Sequence, residues 1–206
     1  MSRAHDPAAI AEDLDRLGDR EPRIAAAVAQ LGYPPPRVRE PGFETLMRIL
    51  VGQQVSTRAA DGIWTTLSTH LGVVTAESVR AADTLPGLSR AKIRYARALA
   101  DAVLAGSLDL DRLDTLDDAA AIETITAVTG FGPWSADIYL LFALGRPDIW
   151  PAGDLAVRAG LATILELDPV PDARAAVPLG DPFRPHRSAL ALLCWHAYSS
   201  PTFGTD

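Results

Sequence analysis

The chain carries one cysteine, Cys194, among its 206 residues. That excludes an internal disulfide, a four-cysteine zinc site and a cysteine-ligated iron–sulfur cluster, and it leaves Cys194 as a buried thiol in an apolar helix. The four histidines, His5, His70, His186 and His196, make neither an HExxH pattern nor a cluster with cysteine, so no catalytic metal is expected. No apolar run approaches the roughly 20 residues that span a bilayer. The opening "MSRAHDPAAIAEDLDRLGD" lacks the apolar core of a secretion signal. A cytoplasmic protein with no membrane partner is the expectation. Positive charge is scarce as well: the formal net charge is −7, which argues against a broad electrostatic grip on nucleic acid. The balance can reverse locally, since 18 of the 19 basic residues are arginine and the acids crowd into 6–21 and 101–123.

Sustained period-2 alternation is also missing, whereas segments of 3.6-residue period recur between Gly and Pro breaks. The fold class is therefore all-α. "PAAIAEDLDRLG" and "EPRIAAAVAQLG" read as amphipathic helices that begin near a proline and close at Gly18 and Gly32. A linker, "YPPPRVREPG", follows. Two further helices lie in "FETLMRILVGQQVS" and "STRAADGIWTTLSTHLG", the second capped by Ser56. "TAESVRAA" is short, and "LSRAKIRYARALADAVLAG" is longer, with Ile93, Ala96, Leu99 and Val103 on its apolar face. "DDAAAIETITAV" precedes "WSADIYLLFALG", a helix apolar nearly all round that belongs inside the bundle and should end at Gly145. "DLAVRAGLATIL" and "RPHRSALALLCWHAYS" bring the total to about ten helices, with no internal repeat.

Between two of these helices stands "VTGFGPWSAD", residues 128–137. Pro133 suits the first turn of a helix, where its missing N–H costs nothing. Gly130 and Gly132 let the backbone approach a ligand closely, and free amides there form a nest for phosphate oxygens, a contact that needs no lysine. Read without context, the same string is also an ordinary αα-hairpin turn. Downstream, Asp154 follows Pro151-Ala152-Gly153 at a helix start. An aspartate there is commonly an N-cap; a carboxylate facing a groove is the functional alternative.

These residues carry a family resemblance. "FETLMRILVGQQVS", "TGFGPWSADIYLLFALGRPDIWPAGDLAVRAG" and "FRPHRSALALLCWHAYS", in that order over about residues 40–200, resemble the helix–hairpin–helix DNA glycosylase superfamily, and within it the 3-methyladenine DNA glycosylase II branch. The resemblance implies two helical lobes flanking a cleft, without the N-terminal β-domain of some members. Residues 1–42 would pack with 161–206, and 43–160 would form the lobe holding hairpin 126–137 and the catalytic aspartate. It makes Gly130, Phe131, Gly132 and Trp134 the DNA-gripping hairpin and Asp154 the catalytic residue. Main-chain carbonyls of Thr126, Val128 and Phe131 would hold a monovalent cation; no other cofactor is implied. Bifunctional members carry a lysine two residues after the second hairpin glycine, where this chain has Trp134, so the implied enzyme is monofunctional.

The remaining candidates come partly from that resemblance and partly from helical spacing. Gln54, with Gln53 beside it, takes the place of the wedge that fills the gap left by a flipped nucleotide; a polar inter-helix turn is the plainer reading. Trp134, Ile138, Tyr139, Trp150 and His186 are candidates for the wall of a pocket for a cationic purine, through stacking and cation–π attraction, although aromatic residues in apolar helices are more often core. Arg90, Arg94 and Arg97 share one helical stripe that would touch phosphates or simply face solvent. "LPGLSRAK" at 85–92 has Ser89 where a second hairpin would need glycine and reads as a helix start. The expected activity is removal of alkylated purines from duplex DNA by a nucleoid-associated monomer in base excision repair. Open alternatives are a glycosylase for an uncharged lesion, such as ethenoadenine or a deaminated purine, and a non-catalytic DNA-binding module.

Overall fold

A computed structural model describes residues 2–200, and no strand occurs among them. α1 (Pro7–Arg20) is capped by Asp6, and α2 (Pro22–Leu31) by Glu21, whose side chains accept backbone amides while a proline opens each first turn. α1 does not stop at Gly18. The helix runs on because Gly18 seats Ala25 of α2, whose Cβ lies 3.0 Å from where a Cβ on Gly18 would stand; close packing outweighs the ~1 kcal/mol helix cost of glycine. α3 (Phe43–Gly52), α4 (Thr57–Leu71), α5 (Ala76–Ala81) and α6 (Arg90–Leu104) follow, with Ser56, Thr75 and Ser89 as N-caps of the last three. Ser56 and the helix start at Ser89 thus stand where the caps were expected.

α7 (Asp118–Thr126) and α8 (Pro133–Phe142) flank the glycine hairpin. α8 buries Ser135, Ala136, Ile138, Tyr139, Leu140 and Leu141, as its nearly all-round apolar sequence requires. It ends at Phe142, ahead of Gly145, whose φ of +61° turns the chain away. α9 (Leu155–Ile164), α10 (Ala173–Leu179) and α11 (Arg187–Ser199) complete eleven α-helices among the described residues, with short 3-10 turns at Arg3–His5, Arg112–Thr115 and Asp181–Phe183. α10 was not foreseen: it is short and Pro178 interrupts its last turn.

The helices gather into two compact units. One runs from Arg39 to Tyr139 and contains α3 to α7 and the first part of α8. The other joins the residues up to Val38 with those from Leu140 onward. This differs from the expected division, because residues 140–160 group with the chain ends and not with the hairpin. The cause is α9, which packs most closely on α11. Gly160 makes that crossing possible: a Cβ there would sit 2.0 Å from the Cys194 carbonyl oxygen. Cys194 is fully buried in α11, and burial pushes its thiol pKa up, as expected of an inert core thiol. No helix among the described residues is long and apolar enough to cross a membrane.

Candidate functional site

In the Arg39–Tyr139 unit the hairpin is a tight turn with one buried anchor. The Phe131 amide donates to the Val128 carbonyl at 3.0 Å, and the Phe131 ring is 4% exposed. Gly132 starts α8 by accepting from the amides of Ser135 at 2.9 Å and Ala136 at 3.2 Å. The two glycines have different causes. Gly130 has φ +95°, and a Cβ on it would lie 2.2 Å from Cγ of Tyr95, so the fold itself demands glycine there. Gly132 has no positive φ, and a Cβ on it would meet nothing within 4 Å. Nothing internal requires Gly132 to be bare. The amides of Gly130 and Gly132 donate to no acceptor among the described residues, and Gly132 is exposed. Two amides without an internal acceptor beside the start of α8 are donors available to an anion.

The "QQVS" joint lies in the same unit. Gln53 is the C-cap of α3, and its side-chain Nε2 donates to the Gly130 carbonyl at 2.9 Å and to Ser135 Oγ at 3.0 Å. Gln53 therefore ties two turns together and is no wedge, which corrects the expectation for that residue. Gln54 is exposed, with φ +56°, at the tip of the joint, and Val55 beside it is 38% exposed. Trp134 is partly exposed at the head of α8, and Ile138, one turn on, is buried. Tyr139 departs from its expected place on a pocket wall. It is fully buried, its hydroxyl accepts from the Gly42 amide at 2.9 Å, and burial pushes its phenol pKa up. Of the arginine stripe, Arg90 and Arg94 are exposed, whereas Arg97 spends its guanidinium on the carbonyls of Arg80 and Ala82.

Asp154 belongs to the other unit. It is the N-cap of α9, and its Oδ1 accepts from the amides of Ala156 at 2.9 Å and Val157 at 3.1 Å. A third donor reaches the same oxygen: Trp195 Nε1 at 3.1 Å. Capping and function are therefore compatible, since capping fixes the carboxylate at a helix N-terminus, where the dipole favours negative charge. Trp195 is buried in α11; its ring lies 5.2 Å from that of Phe142, with the Arg37 guanidinium 5.1 Å over it. The loop leading to Asp154 is bolted down. Arg187 grips Asp148 through Nε at 2.7 Å and Nη2 at 2.9 Å, and Ser188 Oγ accepts from the Ile149 amide at 2.9 Å.

Two further expectations change in this unit. Trp150 is buried, donates Nε1 to the Ala176 carbonyl at 2.9 Å and lies against Gly180, so it serves packing. His186 sits with Nδ1 2.9 Å from Oδ1 of buried Asp13, which Arg3 also holds, so it packs against α1 and the turn before it. Sequence reasoning missed Trp195, although one signal was available: an indole N–H in a buried helix needs an acceptor. No group of three or more metal-ligating side chains occurs among the described residues.

No protein-family model matches the chain. DNA-3-methyladenine glycosylase 1 of Schizosaccharomyces pombe is 28% identical over 165 residues, which are 76% of this chain and 72% of that protein. The solved structure of an S. pombe 3-methyladenine DNA glycosylase in complex with abasic DNA superposes with a TM-score of 0.84 at 25% identity, covering 92% of this chain and 98% of that one. By sequence and by fold the chain is similar to DNA-3-methyladenine glycosylases. A DNA-3-methyladenine glycosidase from Bacillus halodurans gives a TM-score of 0.75, also at 25% identity, over 91% of this chain and 89% of that one. The match to the DNA-3-methyladenine glycosylase YfjP of Bacillus subtilis is 25% identical over 109 residues, 53% of this chain and 38% of that protein.

Proposed function

We propose that the protein is a monofunctional DNA glycosylase of base excision repair that hydrolyses the N-glycosidic bond of alkylated purines, 3-methyladenine and with it 7-methylguanine. The observation that carries this reading is Asp154, a carboxylate fixed by two helix amides and an indole N–H, at the residue to which the motif resemblance assigns catalysis. An alkylated purine leaves as an already cationic group, so a strong general acid is unnecessary. What the reaction needs is stabilisation of an oxocarbenium-like sugar and a positioned water, which one held carboxylate supplies. Similarity to the S. pombe enzyme solved with abasic DNA supports duplex DNA as the partner.

In this reading the Gly130 and Gly132 amides grip a strand phosphate, and Gln54 fills the gap left by the flipped nucleotide. Flipping costs a few kcal/mol, and less for a lesion that pairs poorly, which contributes selectivity. Trp134 and Ile138 remain the pocket candidates of the hairpin unit. The carbonyls of Thr126, Val128 and Phe131 are hard oxygen donors of the kind a monovalent cation takes, with that of Val128 already accepting from Phe131. A monomer acting in the cytoplasm suits such a search of DNA.

The test is incubation of the purified protein with methylated, ethenoadenine-containing and deaminated duplexes, with free bases identified by mass spectrometry. The expected products are 3-methyladenine and 7-methylguanine from the methylated duplex, with strands that break only after alkali. Release from the uncharged lesions alone, or strand cleavage without alkali, would overturn the reading.

A further inference from the structure

The turn bearing Gln54 is braced by residues that the proposed chemistry does not use. Lys92, the single lysine of the chain, projects from α6 with Nζ 2.8 Å from the Val51 carbonyl and 2.8 Å from the Gln53 carbonyl. Carbonyls in the last turn of a helix have no partner within it, so the ammonium satisfies two of α3's orphans at the negative end of its dipole. Three residues on, Tyr95 lies on the same side of α6 and is the ring against which Gly130 is pressed. Gln53 closes the circuit, with its main chain held by Lys92 and its side chain holding the Gly130 carbonyl and Ser135. One helix thus backs both the exposed tip and the hairpin, and one glutamine couples them.

We propose that Lys92 and Gln53 are positioning residues that lock the Gln54 tip to the phosphate-gripping hairpin, so that gripping the strand sets how deeply the tip enters the duplex. This rests on the glycosylase reading. Gln54 holds a left-handed φ of +56°, unfavourable for a residue with a side chain, and it persists only because its neighbours are fixed. When the brace is cut, the tip relaxes while the hairpin amides keep their place. Binding then survives and flipping suffers.

The test compares single-turnover excision of one alkylated purine in a fully paired duplex and in a short unpaired bubble, where no wedge is needed. Lys92→Met and Gln53→Ala are each expected to lose about tenfold or more on the duplex, and to stay within about twofold of the wild type on the bubble. Lys92→Arg, which keeps two donors, is expected to recover most of the duplex rate. Combining Lys92→Met with Gln54→Ala should add little to either single loss. Equal loss on both substrates in a folded variant, or no loss on either, overturns the proposal. If Lys92→Met does not fold, Gln53→Ala and Lys92→Arg decide by the same comparison. A wild-type protein inactive on both substrates would instead remove the glycosylase reading, so the two failures are told apart.

Discussion

Alanine at each of the two hairpin glycines separates what the fold needs from what a ligand needs. At Gly130 the new methyl meets a φ of +95° and the Tyr95 ring, with Cγ at 2.2 Å and Cβ and Cδ1 at 2.6 Å. Those atoms sit near the ring's root on α6 and cannot swing aside. The backbone strain costs ~1–3 kcal/mol and the overpacking ~1–3 kcal/mol, about 2–6 kcal/mol together. For a chain of this size each kcal/mol lowers the melting temperature by ~2–4 °C, so Gly130→Ala should melt at least ~4 °C below the wild type. At Gly132 the methyl meets open space, and alanine should leave stability unchanged or raise it by ~0.4–1 kcal/mol through the unfolded chain. That methyl nevertheless stands where a phosphate would approach. Loss of one charge-assisted amide–phosphate bond is worth ~1.5–3 kcal/mol, about 10- to 150-fold in affinity. Differential scanning fluorimetry and fluorescence anisotropy on an abasic-analogue duplex at fixed salt read both quantities. Wild-type affinity in a stable Gly132→Ala, or parallel destabilisation of both variants, would refute the reasoning.

Trp195→Phe should keep the ring packed on Phe142 but remove the donor to Asp154, lowering the single-turnover rate about tenfold while costing only ~1 kcal/mol of stability; a melting curve run beside the kinetics checks it. Treatment with borohydride during the reaction should trap no protein–DNA adduct, because Trp134 stands in the lysine position of the lyases and Lys92 is held between two carbonyls; an adduct resolved by mass spectrometry would contradict this. The Glu21 carboxyl is held down to about 2, chiefly by its hydrogen bond with Arg23, whose guanidinium also caps Leu165. With the folded value below the unfolded one, its contribution is full above the ordinary carboxylate range and fades as pH falls toward 2. The melting temperature of Glu21→Gln should therefore lie below that of the wild type near neutrality and converge with it in acid.

Much of this was legible before any coordinates. Local chemistry carried it: Ser56 and Ser89 cap where short polar side chains precede an apolar period, and α8 is buried because it offers no polar face. Errors arose where a distant contact overrules a local signal. Gly18 looked like a helix stop until Ala25 required the space above it. Gln53 and Gln54 are adjacent and identical in type, yet the end of α3 turns one toward Ser135 and the other outward; that register is set by Lys92, 39 residues away in sequence. Tyr139 and Trp150 are sequence neighbours of the hairpin and the aspartate, and His186 stands where the family resemblance puts an aromatic, but side-chain direction sends them to Gly42, Ala176 and Asp13. Trp195 was passed over for the opposite reason, lying far in sequence from the aspartate it holds.

The central claim rests on the charge of a single carboxylate. Asn keeps the oxygen that caps α9 and accepts from Trp195, so Asp154→Asn removes the charge with little change in packing. Single-turnover release of 3-methyladenine, measured beside affinity for an abasic-analogue duplex, should fall at least ~10²-fold while binding stays near the wild-type level. Base release by Asp154→Asn at the wild-type rate would contradict the account.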